Sequence, residues 1–214
     1  MNAKKLLFGI SFYLLLPFVF ADTIKFSSDR MSGSSNSDNT TTELLGNATV
    51  TTEDIKIESD SIKLFGKNFT NITASGTVKG ESIKNKFTFS ADVLKYNREK
   101  KISEFSGNVQ FIDKANDTII TCGYALYNEK NETMIIKFDV SIERKDTKCK
   151  SIFALYNRKN EIVNLLGKPH VTNKDDTFFA DRITINLKTD KIDLQGTVKG
   201  NLVEKDEKVK KDKK

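Results

Sequence analysis

Residues 90–109 read SADVLKYNREKKISEFSGNV. Before Asp92 the apolar residues fall on Phe87, Phe89 and Ala91; after it they fall on Leu94 and Tyr96. Successive side chains of a strand point to opposite faces, so the apolar parity changes only at a bulge or a bend. Asp92 therefore marks a corner, and its carboxylate suits backbone donors left unpaired there. Asn97-Arg98-Glu99-Lys100 then turns the chain. Gly107, between Phe105 and Val109, is a second candidate bend.

The same features recur along the chain. The acidic slot holds Asp29, Asp60, Asp92 and Asp181, with Gly123 and Ile152 in two further copies. A second ladder holds Gly46, Gly76, Gly107, Gly167 and Gly196, with Phe138 in the remaining slot. Both ladders step by 29–32 residues. A fixed period of this size signals a repeat architecture. Each unit carries two polar, Asn/Asp-rich turns between β-favouring runs, such as Asn97–Lys100 and Asp113–Asp117. Two reversals per unit make consecutive strands antiparallel, which excludes a plain parallel β-helix.

The fold expected is all-β: an elongated, open-ended antiparallel β-jelly roll, taco-like, built from repeats of about 30 residues. One inward row runs through Phe26, Ile57, Phe89, Ile120, Cys149 and Phe178, and another through Val50, Phe111, Ile142 and Val171. Val78, Phe105, Val109, Val140 and Leu165 flank the glycine ladder. An apolar interior along an open-ended body can house lipid chains. The candidate lipid-contacting set is therefore Phe26, Ile57, Val78, Phe89, Phe105, Val109, Phe111, Ile120, Val140, Ile142, Leu165, Val171 and Phe178. The plain alternative is that these residues form only a dry core.

The ends of the chain set the compartment. Lys4 and Lys5 precede an apolar run from Leu6 to Phe20, and Val19-Phe20-Ala21 ends in small-x-small fashion. That is the layout of a signal peptide spanning residues 1–21, cleaved after Ala21, and it directs the protein out of the cytoplasm. The rival, an uncleaved anchor, needs about 20 apolar residues, and Pro17 interrupts a shorter run. Position 22 is Asp, not the Cys of a lipoprotein. Residues 22–203 then form a single domain, with a Ser/Asn/Thr-rich mobile loop at 31–42 and a disordered Lys-rich tail at 204–214. Loss of Lys4 and Lys5 lowers the formal charge from +6 to +4, and the tail carries +2 of that. The body is nearly balanced, so the basic pI does not indicate nucleic acid.

Catalytic and metal constellations are lacking in the pattern. His170 is the single histidine and follows Pro169 on a strand-like stretch. No Ser–His–acid spacing, phosphate loop or second ligand accompanies it, so neither enzyme nor cofactor is expected. The repeated Asp residues lie two strands apart, roughly 9–10 Å, too far to share one cation. Cys122 and Cys149 sit one inward slot apart in successive units with a strand between them, beyond the ~7 Å limit for bridging, so two free buried thiols are expected. Three Asn-x-Thr sequons, at Asn68, Asn71 and Asn131, match by chance in an Asn/Thr-rich chain. Lys100, Lys101, Lys159 and Lys174 lie at turns and rims, where they either face solvent or meet phosphates of a headgroup.

Several stretches together carry a resemblance. They are Ile24-Lys25-Phe26-Ser27-Ser28-Asp29, Leu44-Leu45-Gly46-Asn47-Ala48-Thr49-Val50, Phe105-Ser106-Gly107-Asn108-Val109, Phe179-Ala180-Asp181-Arg182-Ile183 and the basic tail. In order, and behind a signal peptide, they resemble the periplasmic bridge family of lipopolysaccharide transport, the organic-solvent-tolerance A-like family. The resemblance spans Thr23 to Val203. It implies a periplasmic carrier that shields the acyl chains of lipopolysaccharide or a related glycolipid. It also implies partners at the edge strands: an inner-membrane transport complex, an outer-membrane translocon, and further copies head to tail. Two other readings stand beside it. One is the membrane-anchored partner of the same pathway; the other is a structural secreted β-repeat protein without lipid.

Overall fold

The computed structural model describes residues 23–36 and 39–203. The signal peptide, its cleavage and the Lys-rich tail expected from the sequence lie outside the described residues. The strands are β1 (Lys25–Ser27), β2 (Arg30–Asn36), β3 (Asn39–Thr51), β4 (Ile55–Phe65), β5 (Asn71–Ser82), β6 (Phe87–Asn97), β7 (Ile102–Asp113) and β8 (Thr118–Asn128). They continue with β9 (Thr133–Arg144), β10 (Thr147–Asn157), β11 (Ile162–Leu166), β12 (His170–Asn173), β13 (Asp176–Phe179), β14 (Arg182–Asn186), β15 (Lys191–Gln195) and β16 (Lys199–Asn201). A short 3₁₀ turn, Lys67–Phe69, precedes β5.

All sixteen belong to one antiparallel sheet, and the order follows the sequence. β1 and β2 pair with opposite halves of β3. β11 and β12 likewise share β10, β14 and β13 continue from them, and β15 and β16 close the series. The sixteen segments thus make twelve bent strands, two for each of six repeats.

Every bend lies where the sequence parity slips. The register shifts between Leu45 and Ala48, Glu58 and Ser61, Ser75 and Val78, and Ser90 and Val93. It shifts again between Ser106 and Val109, Thr121 and Tyr124, and Ser151 and Phe153. The acidic and glycine ladders prove to be two sides of one corner row, not two separate bends. A Cβ on Gly76 would sit 2.2 Å from Asp60 Oδ2, and one on Gly107 2.2 Å from Asp92 Oδ2. Gly76 also has φ 100°, a region costly for residues with a side chain. The carboxylate accepts from the residue after the glycine: Thr77 N to Asp60 at 2.9 Å, Asn108 Nδ2 to Asp92 at 2.9 Å, and Thr197 N to Asp181 at 2.9 Å.

The two units lacking Asp keep the same steric rule. In one the roles are inverted: Gly123 stands in the acidic slot, and its missing Cβ would lie 3.1 Å from Phe138 Cβ. In the other, Ile152 sits over Gly167, with a Cβ contact of 2.9 Å. A small residue faces a larger one at all six corners.

The stretch 31–42, expected as a loop, is ordered differently. Arg30–Asn36 and the start of β3 form a hairpin paired from Arg30↔Leu45 to Asn36↔Asn39. Polar composition misled here, because β2 is an edge strand whose residues 31–34 are exposed and need no buried face. Thr40, Thr41 and Thr42 are β-branched and suit strand geometry.

Candidate functional site

The fold-over brings the two halves of each strand face to face around one apolar interior. The two inward rows of the sequence interleave into one, strand by strand. Its neighbours are Phe26↔Val50, Val50↔Ile57, Ile57↔Gly80 and Gly80↔Phe89. The row continues through Phe89↔Phe111, Phe111↔Ile120 and Ile120↔Ile142 to Cys149, Val171 and Phe178. Gly80 fills the one mid-row slot lacking a side chain, and the Phe89 ring occupies its place, 2.5 Å from where a Cβ would stand. The opposite half carries Leu44, Ile62, Ala74, Leu94, Phe105, Ala125, Ile136, Ala154, Leu165 and Ile183, all buried.

The halves touch across the interior through aromatic edges. Phe89 and Phe105 lie 5.0 Å apart, Phe105 and Phe111 4.8 Å, and Phe87 and Tyr127 5.1 Å, each pair tilted. Ile57, Val78, Phe89, Phe105, Val109, Phe111, Ile120, Val140, Ile142, Leu165 and Val171 are all buried. Two residues expected inside are not fully so. Phe26 is 48% exposed, and Phe178 is half-buried. Phe26 lies on the edge strand β1, and Phe178 pairs with Gly200 of the last strand, β16, which has no side chain to cover it.

Cys122 and Cys149 are free and buried, as expected. Burial pushes the Cys122 thiol up to about 11 and the Cys149 thiol up to about 12, so neither is a thiolate at neutral pH. His170 stacks on Phe179 at 4.6 Å, with its ring parallel to within 7°. Its Nε2 lies 3.4 Å from Thr172 Oγ1. Among the described residues no cluster of three metal-ligating side chains occurs.

The turns form two polar rims where the folded strands meet again. On the first rim Asn97, Asn128, Asn157 and Asn186 each open a turn by accepting a backbone N–H two or three residues on. Each rim is tied along its length. Arg98 N donates to Thr70 O and Glu129 N to Lys101 O on the first rim; Ile83 N donates to Asp54 O and Lys174 N to Asp146 O on the second.

Sequence reading missed what joins the rims. Lys101 pairs with Asp54, Arg158 with Asp113 (Nε–Oδ2 2.5 Å), and Arg144 with Glu161 (Nη2–Oε2 3.5 Å). Arg158 also reaches Glu132 at 2.8 Å and Asn85 O at 2.7 Å. The signal was present: the inward parity of Val109 and Phe111 continues onto Asp113, and that of Ala125 and Tyr127 onto Glu129. Both acids are buried. Lys100, Lys159 and Lys174 stay exposed.

An antiparallel sheet bent along one spine and folded over an apolar interior defines the class: a β-jelly-roll scaffold with an open strand at each end. Residues 88–191 match the family described as LptA/(LptD N-terminal domain) LPS transport protein, so over that stretch the chain is similar to LptA-like lipopolysaccharide-transport proteins. This is a family of transport proteins, not of enzymes. No curated protein matches the chain. Among solved structures, similarity extends to LptH of Pseudomonas aeruginosa, described as the LptA homologous periplasmic component of the conserved lipopolysaccharide transport device. Identity is 12%, the alignment covers 85% of this chain and 96% of that one, and the TM-score is 0.25. The fold assignment stands on the strand register above.

Proposed function

We propose that the protein is a periplasmic bridge that holds lipopolysaccharide, or a related glycolipid, by its acyl chains and hands it from the inner towards the outer membrane. The observation that supports this reading is the apolar row running from Phe26 to Phe178 without a polar interruption. Acyl chains lying along it would gain about 0.8 kcal/mol per methylene removed from water. The headgroup would remain at the polar rims. Directional movement must come from partners, because a burial gradient alone has no preferred end.

The free edges suit those partners. β1 and β2 at one end and β15 and β16 at the other each lack a second neighbour within the described residues. Such edges add strands from another chain. In this reading they dock the inner-membrane complex, the outer-membrane translocon, or further copies head to tail. The amino-terminal leader would deliver the chain to the periplasm.

A second reading has its own support: the aromatic contacts fill the interior, as in a structural protein with a dry core. Site-specific photocrosslinking separates the two. A crosslinker at Phe89, Phe111 or Ile142 should capture glycolipid, and one at exposed Lys100 should not. Equal capture at all four positions, or none at any, would refute an interior lipid path.

A further inference from the structure

We infer that glycolipid enters sideways, through the seam between the two rims, and that the three cross-rim ion pairs are the latches of that seam. This rests on the lipid-binding reading above and specifies its route.

Three observations carry the inference. First, the halves are joined unequally. On the spine side the chain passes directly from one half to the other, in β3–β10 as unbroken strands, and the backbone turns through left-handed glycines such as Gly46, Gly76, Gly107 and Gly196. On the rim side no strand pairing connects the first rim to the second among the described residues. The rims meet through side chains: Lys101 to Asp54, Arg158 to Asp113 and Asn85, and Arg144 to Glu161, Asp190 and the Leu187 carbonyl. Parting them breaks no ladder, because the two rims share none.

Second, the latches recur along the molecule and run in both directions across the seam. Lys101 and Arg158 reach from the first rim to acids on the second. Arg144 reaches from the second rim to acids on the first. Tyr96 Oη adds a bond to Asp54 at 3.3 Å, and Asn116 Nδ2 donates to Tyr156 Oη at 3.3 Å. The seam therefore closes over the middle rungs.

Third, the interior beneath is packed. Ile57, Leu94, Ile136 and Leu165 have no exposed surface, and Phe89, Phe105 and Phe111 touch across it. Threading several acyl chains from one end would displace every rung in succession. Parting the rims exposes many rungs at once and leaves a charged headgroup beside charged side chains.

The test is to lock the seam. The double variant Asp54→Cys, Lys101→Cys is bridged by a short bismaleimide, with a photocrosslinker at Phe111 reporting entry from lipopolysaccharide micelles. The native thiols are buried, and peptide mass mapping confirms which cysteines are bridged. Before bridging, the variant should capture lipid; failure there would refute the lipid-binding reading itself. After bridging, initial capture should fall at least tenfold. Unchanged capture after bridging would overturn side entry while leaving interior binding intact. The single variant Asp54→Asn, which weakens one latch without bridging, should raise the initial rate several-fold. A rate that does not rise counts against the latch.

Discussion

The spine and the rims of this molecule solve the same problem, joining twelve bent strands, by opposite means. The spine repeats one rule six times: a small residue faces a larger one across a register slip, and usually an Asp caps the bend. Each rim repeats its turns and the backbone bonds along its own length; what holds one rim to the other is a set of individual ion pairs, each built differently. Repetition marks what the fold needs at every step. The unrepeated pairs mark where the molecule has to be closed, and where it can be opened.

The sharpest test of that contrast is at Arg158. Its guanidinium is held by Asp113, Glu132 and the Asn85 carbonyl, and both Arg158 and Asp113 are nearly buried. Arg158→Met leaves the buried Asp113 carboxylate without its cation, with only Ala115 and Asn116 still donating to it, a loss of about 3 kcal/mol. Chemical denaturation of wild type and variant should show it as a lower midpoint with an unchanged slope. A shift no larger than that of an exposed pair such as Lys148–Glu143 would reduce the latch to surface decoration.

The spine is probed at two glycines that obey the rule in opposite senses. Gly76→Ala places a Cβ against Asp60 in a left-handed conformation and should cost about 2 kcal/mol. Gly123 has no positive φ and faces Phe138 Cβ instead. Gly123→Asp alone should therefore destabilise. Combined with Phe138→Gly it rebuilds the majority corner and also relieves Phe138 of its left-handed φ of 65°. The double variant should be more stable than the sum of the singles by about 1 kcal/mol, read from a thermodynamic cycle. Additive effects would mean that the inverted corner is not a swapped version of the others.

Much of this architecture was legible in the residues, for a physical reason. A strand has a period of two, so a repeated parity slip at Asp92 and its counterparts can only be a repeated bend. The interior row was legible from the same parity. Its merging into a single row, Val50 next to Ile57 and Phe111 next to Ile120, needed the strand order. Composition misjudged β2, an edge strand on which Ser32 and Ser34 are exposed. It also could not reveal that Phe26 lies at an uncovered end. Two of the three cross-rim pairs join residues 45 and 47 positions apart and the third residues 17 apart, across an offset that only the fold-over defines. Their trace in the sequence was an acid on an inward position, at Asp113 and again at Glu129.

Glu129 gives the smallest effect and the most specific one. It lies on the first rim facing Asp54, Lys101, Lys84 and the Tyr96 hydroxyl. Its Oε1 is buried with no hydrogen-bond partner among the described residues, while Tyr96 offers one hydrogen to both Glu129 and Asp54. Burial, and then the charge of Asp54, raise the Glu129 pKa above its usual 4.5, and the two lysines only partly offset this. A carboxyl raised on folding binds its proton more tightly in the folded state. Its stabilising contribution is complete below 4.5 and is lost as pH climbs through the raised value. Glu129→Gln removes that titration. It should stabilise the protein by about 1 kcal/mol at neutral pH, comparable to the cost of one unsatisfied buried oxygen, with the gain vanishing in acid. If the seam gates entry, the same variant should slow capture of glycolipid at neutral pH, because a rim without the Glu129–Asp54 repulsion stays closed longer. A variant stabilised equally at every pH would place Glu129 in ordinary packing, outside the electrostatics that set the rims apart from the spine.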